Sequence, residues 1–91
     1  MPGTVRDNLA LHRFELEVDG HTAAAHYRLG PGTITFTHTE VPPALGGRGV
    51  GSALVRGALQ AVRERGLRVE AKCPFVSGYI AKHPEFADLL A

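Results

Sequence analysis

The sequence predicts an α/β protein with one mixed (α+β) sheet, in the order β-β-β-α-β-α: an antiparallel meander followed by a parallel βαβ unit. Three observations lead there. Three runs of alternating apolar and polar residues lie between positions 12 and 41, separated by the turn signals Asp19-Gly20 and Gly30-Pro31-Gly32. An apolar stripe of helical period follows over 49–65. A fourth alternating run then closes at Cys73-Pro74.

Residues 1–8 carry no periodic signal and read as a frayed end. In 12–18, Phe14, Leu16 and Val18 share one face, with Arg13, Glu15 and Glu17 opposite. In 22–29, Ala23, Ala25, Tyr27 and Leu29 lie on one face, His26 and Arg28 on the other. In 33–41, strict alternation puts Ile34, Phe36, His38 and Glu40 together, opposite Thr33, Thr35, Thr37 and Thr39. Pro42-Pro43 ends this strand, because proline donates nothing to a ladder.

Val50, Leu54, Val55, Ala58, Leu59 and Val62 make the stripe of the helix, with Gly66 as its stop and Arg63 and Arg65 suited to its negative end. In 67–73, Leu67, Val69, Ala71 and Cys73 point inward and Arg68, Glu70 and Lys72 outward. A short helix over 76–82 stops before Pro84, and 84–90 adds a helical turn or two. The strands flanking the long helix should be parallel with a right-handed crossover. Clean alternation in all four strands implies one sheet face packed by helices and one face largely wet.

The 91 residues make one domain, 44% hydrophobic and 21% charged, as in soluble globular proteins. A net charge of +1 argues against a dedicated nucleic-acid surface, which carries a basic stripe. The lone Cys73 excludes an internal disulfide and multi-cysteine zinc patterns. No apolar run approaches the ~20 residues of a membrane span, and residues 1–8 hold no apolar signal region, so no membrane partner and a cytoplasmic location are expected. His12, His21 and His26 show no ligand spacing, read as surface strand residues, and no metal is expected.

The chemistry concentrates at Gly46, Gly47, Arg48, Gly49, Val50, Gly51 and Ser52. A glycine turn that opens a helix offers backbone N–H groups and a partial positive charge to an oxyanion. Ligands of a parallel βαβ unit favour the carboxyl ends of its strands. Those ends carry Glu40 and Val41 on one strand and Cys73 on the other.

His38-Thr39-Glu40-Val41-Pro42, Gly47-Arg48-Gly49-Val50-Gly51 and Cys73-Pro74-Phe75-Val76, in this order, resemble the GNAT N-acetyltransferase superfamily, and more narrowly a subfamily of very short GNAT-like proteins. The likeness spans about residues 12–90. In the superfamily's acyl-CoA motif, Gln/Arg-x-x-Gly-x-Gly/Ala, the leading Gln or Arg falls here on Gly46. The two helices that help form the acceptor site in full-length members are replaced by Asp19-Gly20-His21.

The resemblance implies acetyl-CoA as acyl donor and an amine as acceptor, whether protein lysine, polyamine or small metabolite. It implies that Gly46, Gly47, Gly49, Val50, Gly51 and Ser52 seat the pyrophosphate. Arg48 either meets phosphate or is a solvated side chain. Val41 would pair with the pantetheine arm and polarise the thioester carbonyl through its N–H. Glu40 is either the general base, its pKa raised by apolar neighbours, or a structural carboxylate. Cys73 lines the acetyl site, either as a nucleophile activated by the helix start or by His38, or as an inert buried thiol. Tyr79 would donate to the leaving thiolate. Lys82 and His83 either meet the phosphate end of the cofactor or form a basic helix end. A non-catalytic acyl-CoA-binding module is the alternative to an enzyme.

Overall fold

Asp19 and Gly20 take positive φ of 51° and 77°, the backbone of a tight hairpin whose twist matches its strands. The chain reverses there, as the sequence predicts. The computed structural model describes residues 4–91, so residues 1–3 of the expected frayed end lie outside the described part. Strands β1 (Arg6–Asn8), β2 (Arg13–Val18), β3 (His21–Gly30), β4 (Thr33–Glu40) and β5 (Arg68–Ala71) form one sheet in sequential order. Neighbours are antiparallel except β4 and β5, which are parallel across helix α1 (Val50–Glu64). Helix α2 (Pro74–Lys82) and a 3-10 turn (Pro84–Leu89) complete the chain. No described helix is long and apolar enough to cross a membrane.

The whole stripe read from the sequence, Val50, Leu54, Val55, Ala58, Leu59 and Val62, is buried against the sheet. Phe14, Tyr27 and Phe36 meet it from three adjacent strands, with ring centroids 5.4 to 6.4 Å apart. Such offset pairs add to simple area burial. A first correction concerns burial, not face: Leu29, read on one face with Ala23, Ala25 and Tyr27, is 48% exposed where those three are buried. It lies opposite Ile34, at the end of the β3–β4 ladder next to the Gly30–Thr33 turn.

The second correction concerns Arg6–Asn8, read as part of a frayed end. It is an edge strand on β2. Three residues are too few to show a period. What holds them is tertiary: Tyr27 donates to Asp7 Oδ1 at 2.5 Å, and Arg65 to Asp7 Oδ2 at 2.8 Å. Gly57 makes room next door, since a Cβ there would fall 2.5 Å from Val5 Cγ2.

The third correction decides the site. Between β3 and β4 the register steps from Tyr27↔Phe36 to His26↔His38, so Thr37 is one extra residue, a β-bulge. Beyond a bulge the alternation inverts. His38 and Glu40 therefore lie on the face opposite Phe36, and Thr39 turns to the helix side. Strict alternation predicted the reverse for all three.

Candidate active site

β5 stays beside β4 only as far as Phe36↔Ala71. The N–H groups of Lys72 and Cys73 both donate to Phe36 O, at 3.1 and 3.0 Å, and the chain then turns into α2 at Pro74. From Thr37 to Glu40 β4 continues without a strand on that flank. The parallel pair thus opens into a fork. At its base Cys73, 2% exposed, lies with its Sγ 3.3 Å from Thr39 Oγ1.

A cleft of about 320 Å³ lies in front of the fork, lined by Val41, Leu45, the glycines of the turn, Val50, Ser52 and Phe75. Gly47 and Gly49 hold φ of +75° and +73°, a conformation that side chains with a Cβ resist. Gly49 caps α1 with no side-chain hydrogen bond, and the first turn contains no acidic residue. The helical ladder begins with Ala53 N–H to Gly49 O at 3.0 Å, so the amides just before it have no intrahelical acceptor. At Gly51 a Cβ would come within 2.7 Å of Phe75 Cζ and 3.3 Å of Val41 Cγ2. The turn thus combines backbone N–H groups lacking intrahelical acceptors with glycines that allow close approach, features suited to an anion.

A second cleft, about 290 Å³, continues from Ser52 and Phe75 along α2 to Tyr79, Lys82 and His83. Tyr79 stacks on His83 with centroids 4.0 Å apart. A third, about 300 Å³, lies on the other side of the strand end, lined by Arg13, Thr22, Ala24, Glu40, Val41, Pro42 and Pro43. Val41 belongs to the first and the third cleft alike.

Arg48 stays at the surface. It pairs with Asp19 at 2.8 Å, tying the glycine turn to the β2–β3 hairpin. Glu40 does not have the apolar surroundings expected of it. It is exposed, with Oε1 2.6 Å from His26 Nε2 and 3.8 Å from His38 Nε2. The hydrogen bond to His26, with the charges of His26, His38 and Arg13, holds its carboxyl below the ordinary carboxylate range, where a raised value was expected. His38 stacks on His26 at 4.1 Å, on the face away from Cys73, so the expected activation of the thiol by His38 has no geometric basis.

A family profile for GCN5-related N-acetyl-transferases matches residues 13–89. The chain belongs to that family. Members of this GNAT family similar to it include a GCN5-like protein of Staphylococcus aureus, whose solution structure superposes with a TM-score of 0.73 at 27% identity, over 96% of this chain and 86% of that one. Among curated proteins, Protein NATD1 of Xenopus tropicalis, of Mus musculus and of Homo sapiens is 34% identical over 56 residues, or 62% of this chain. The chain spans about half the length of these relatives, 51%, 51% and 50% respectively.

The GNAT fold thus brings together what the sequence placed at the strand ends. Val41, Gly46, Gly47, Gly49, Val50, Gly51 and Ser52 meet in one cleft, and Tyr79, Lys82 and His83 in its continuation, while Arg48 lines neither. Cys73 lies beneath, buried, and Glu40 faces the opposite side of the strand. Sequence reasoning missed Phe75 as a cleft wall and His26 as the partner of Glu40. Phe75 sits directly after the Cys73-Pro74 strand stop, and that position was its signal. For His26 there was none, because its pairing with His38 depends on the bulge.

Proposed function

We propose that the chain binds acetyl-CoA and transfers its acetyl group to an amine by direct attack. The observation that supports this best is that Val41 is shared by two clefts on opposite sides of one strand end. The donor occupies the side with the glycine cradle, its pyrophosphate on the amides of residues 47–52 and its distal phosphate end near Lys82 and His83. The acceptor enters beside Glu40.

In this reading Glu40 takes a proton from the ammonium of the acceptor, directly or through water, and the freed lone pair attacks the thioester carbonyl. Val41 N–H stabilises the developing oxyanion, a contribution worth about 3 kcal/mol for one well-aimed donor. The tetrahedral intermediate collapses with cleavage of the C–S bond, and Tyr79 gives its phenolic proton to the departing thiolate. Cys73 bounds the acetyl end from below. Its burial beside Thr39 fits a packing role better than a nucleophilic one.

Titration calorimetry with acetyl-CoA tests the first half; saturable binding is expected, and its absence would remove the reading. A second reading, an acyl-CoA-binding module without turnover, is favoured by the short Asp19-Gly20 turn, where larger members of the superfamily carry acceptor helices. Tight CoA binding with no transfer across amine and protein panels would select it.

A further inference from the structure

The sheet face opposite the helices carries two ordered cross-strand rows: Arg6, Glu15, Ala24 and Glu40, and beside it Asn8, Arg13, His26 and His38. In the second row His26 and His38 are direct partners. Their rings are parallel within 7°. Glu40 lies two residues beyond His38 on the same face, and the donor atoms of all three side chains fall within 4.8 Å of one another.

We propose that His26, His38 and Glu40 form a binding site for a divalent transition ion of the zinc, cobalt or nickel class. Two imidazole nitrogens with one carboxylate oxygen select these borderline ions over magnesium or calcium, which prefer all-oxygen sets. Tetrahedral zinc, with bonds of about 2.0–2.1 Å, sets its donors about 3.3 Å apart. The distances of Glu40 Oε1 to His26 Nε2 and His38 Nε2, 2.6 and 3.8 Å, lie on either side of that value. Binding requires the His38 ring to turn out of its stack on His26 so that both Nε2 lone pairs converge, and His38 and Glu40, 58% and 63% exposed, have room to turn. The fourth position opens to solvent, as in sites with three protein ligands. Arg13, the cross-strand partner of His26, is bound through its Nε by Glu15 Oε2 at 2.6 Å.

Glu40 is the carboxylate assigned above as base, so on that reading an occupied metal site and acetyl transfer exclude each other. The metal site itself does not rest on that reading, and binding is measured without acetyl-CoA.

The test uses the full chain without a histidine tag, titrated with Zn²⁺ by calorimetry and with Co²⁺ by visible absorption. One ion per chain is expected, with cobalt d–d bands. H38A and E40Q should each weaken binding by roughly tenfold or more, as loss of a ligand costs at least what loss of a supporting contact does. H21A, at the exposed hairpin start, should bind as the parent does. Both altered positions are exposed, and circular dichroism confirms that the variants fold. Absence of saturable binding in the parent, or parental affinity in both H38A and E40Q, overturns the proposal.

Discussion

Thr39 Oγ1 and Cys73 Sγ lie 3.3 Å apart across the base of the fork between β4 and β5. They meet only because the bulge at Thr37 turns Thr39 inward. The same inversion sends His38 and Glu40 to the exposed face. One extra residue therefore puts the carboxylate on the side of the strand end away from the thiol.

Gly51 separates ligand binding from stability. In G51A the new Cβ would meet the Phe75 ring at 2.7 Å and push it into the cleft. Phe75 is partly exposed, so its ring can move, and alanine is favoured over glycine within a helix by about 1 kcal/mol. Thermal stability should hold or rise while acetyl-CoA affinity falls. Calorimetry beside a melting curve checks this; unchanged affinity would show that the ligand does not use this wall.

Gly49 behaves differently. It stands at φ +73° with open space around a Cβ, so G49A strains only the backbone. The cost should be about 1–2 kcal/mol in urea unfolding. Since the same residue caps α1, weaker acetyl-CoA binding should accompany it.

Glu15 governs acid stability on the other half of the sheet. It is 6% exposed and accepts hydrogen bonds from Arg13, Asn8 and Arg6. The Arg13 bond leads in holding its carboxyl below the usual range, against the opposing effect of burial. A carboxyl lowered in the folded state contributes stability that is present above the unfolded value, about 4.3, and lost as pH falls through the folded one. Denaturant midpoints should drop below about pH 4.3, and E15Q should be less stable at pH 7 with a flatter acid limb. An identical acid limb in E15Q would place the titrating group elsewhere.

Glu40 should matter through its ionised form. Its carboxyl is held low by His26, so it is deprotonated throughout the neutral range. On the proposed mechanism E40Q loses roughly 10²–10⁴-fold in kcat/KM. Between about pH 6 and 8 the parent profile should follow the acceptor amine and not Glu40. Measuring kcat/KM against pH for two amines of different basicity distinguishes these; a limb that ignores the amine contradicts the assignment.

Much of this was legible in the sequence because it depends on local periodicity. The stripe from Val50 to Val62, the Asp19-Gly20 reversal, the Cys73-Pro74 stop and the glycine turn each carry their signal within a few residues. β1 left none, since Arg6–Asn8 is held by Tyr27, Arg65 and the edge of β2. Arg48 was ambiguous because its partner, Asp19, lies in a distant turn.

By itself the sequence determined a mixed sheet, the parallel crossover and a glycine cradle at a strand end, all consequences of side-chain period and backbone freedom. The tertiary structure decided which side of that strand each reactive group occupies. The physical reason is the bulge: alternation counts residues, but a face is set by hydrogen-bond register with the neighbouring strand, and Thr37 shifts that register by one.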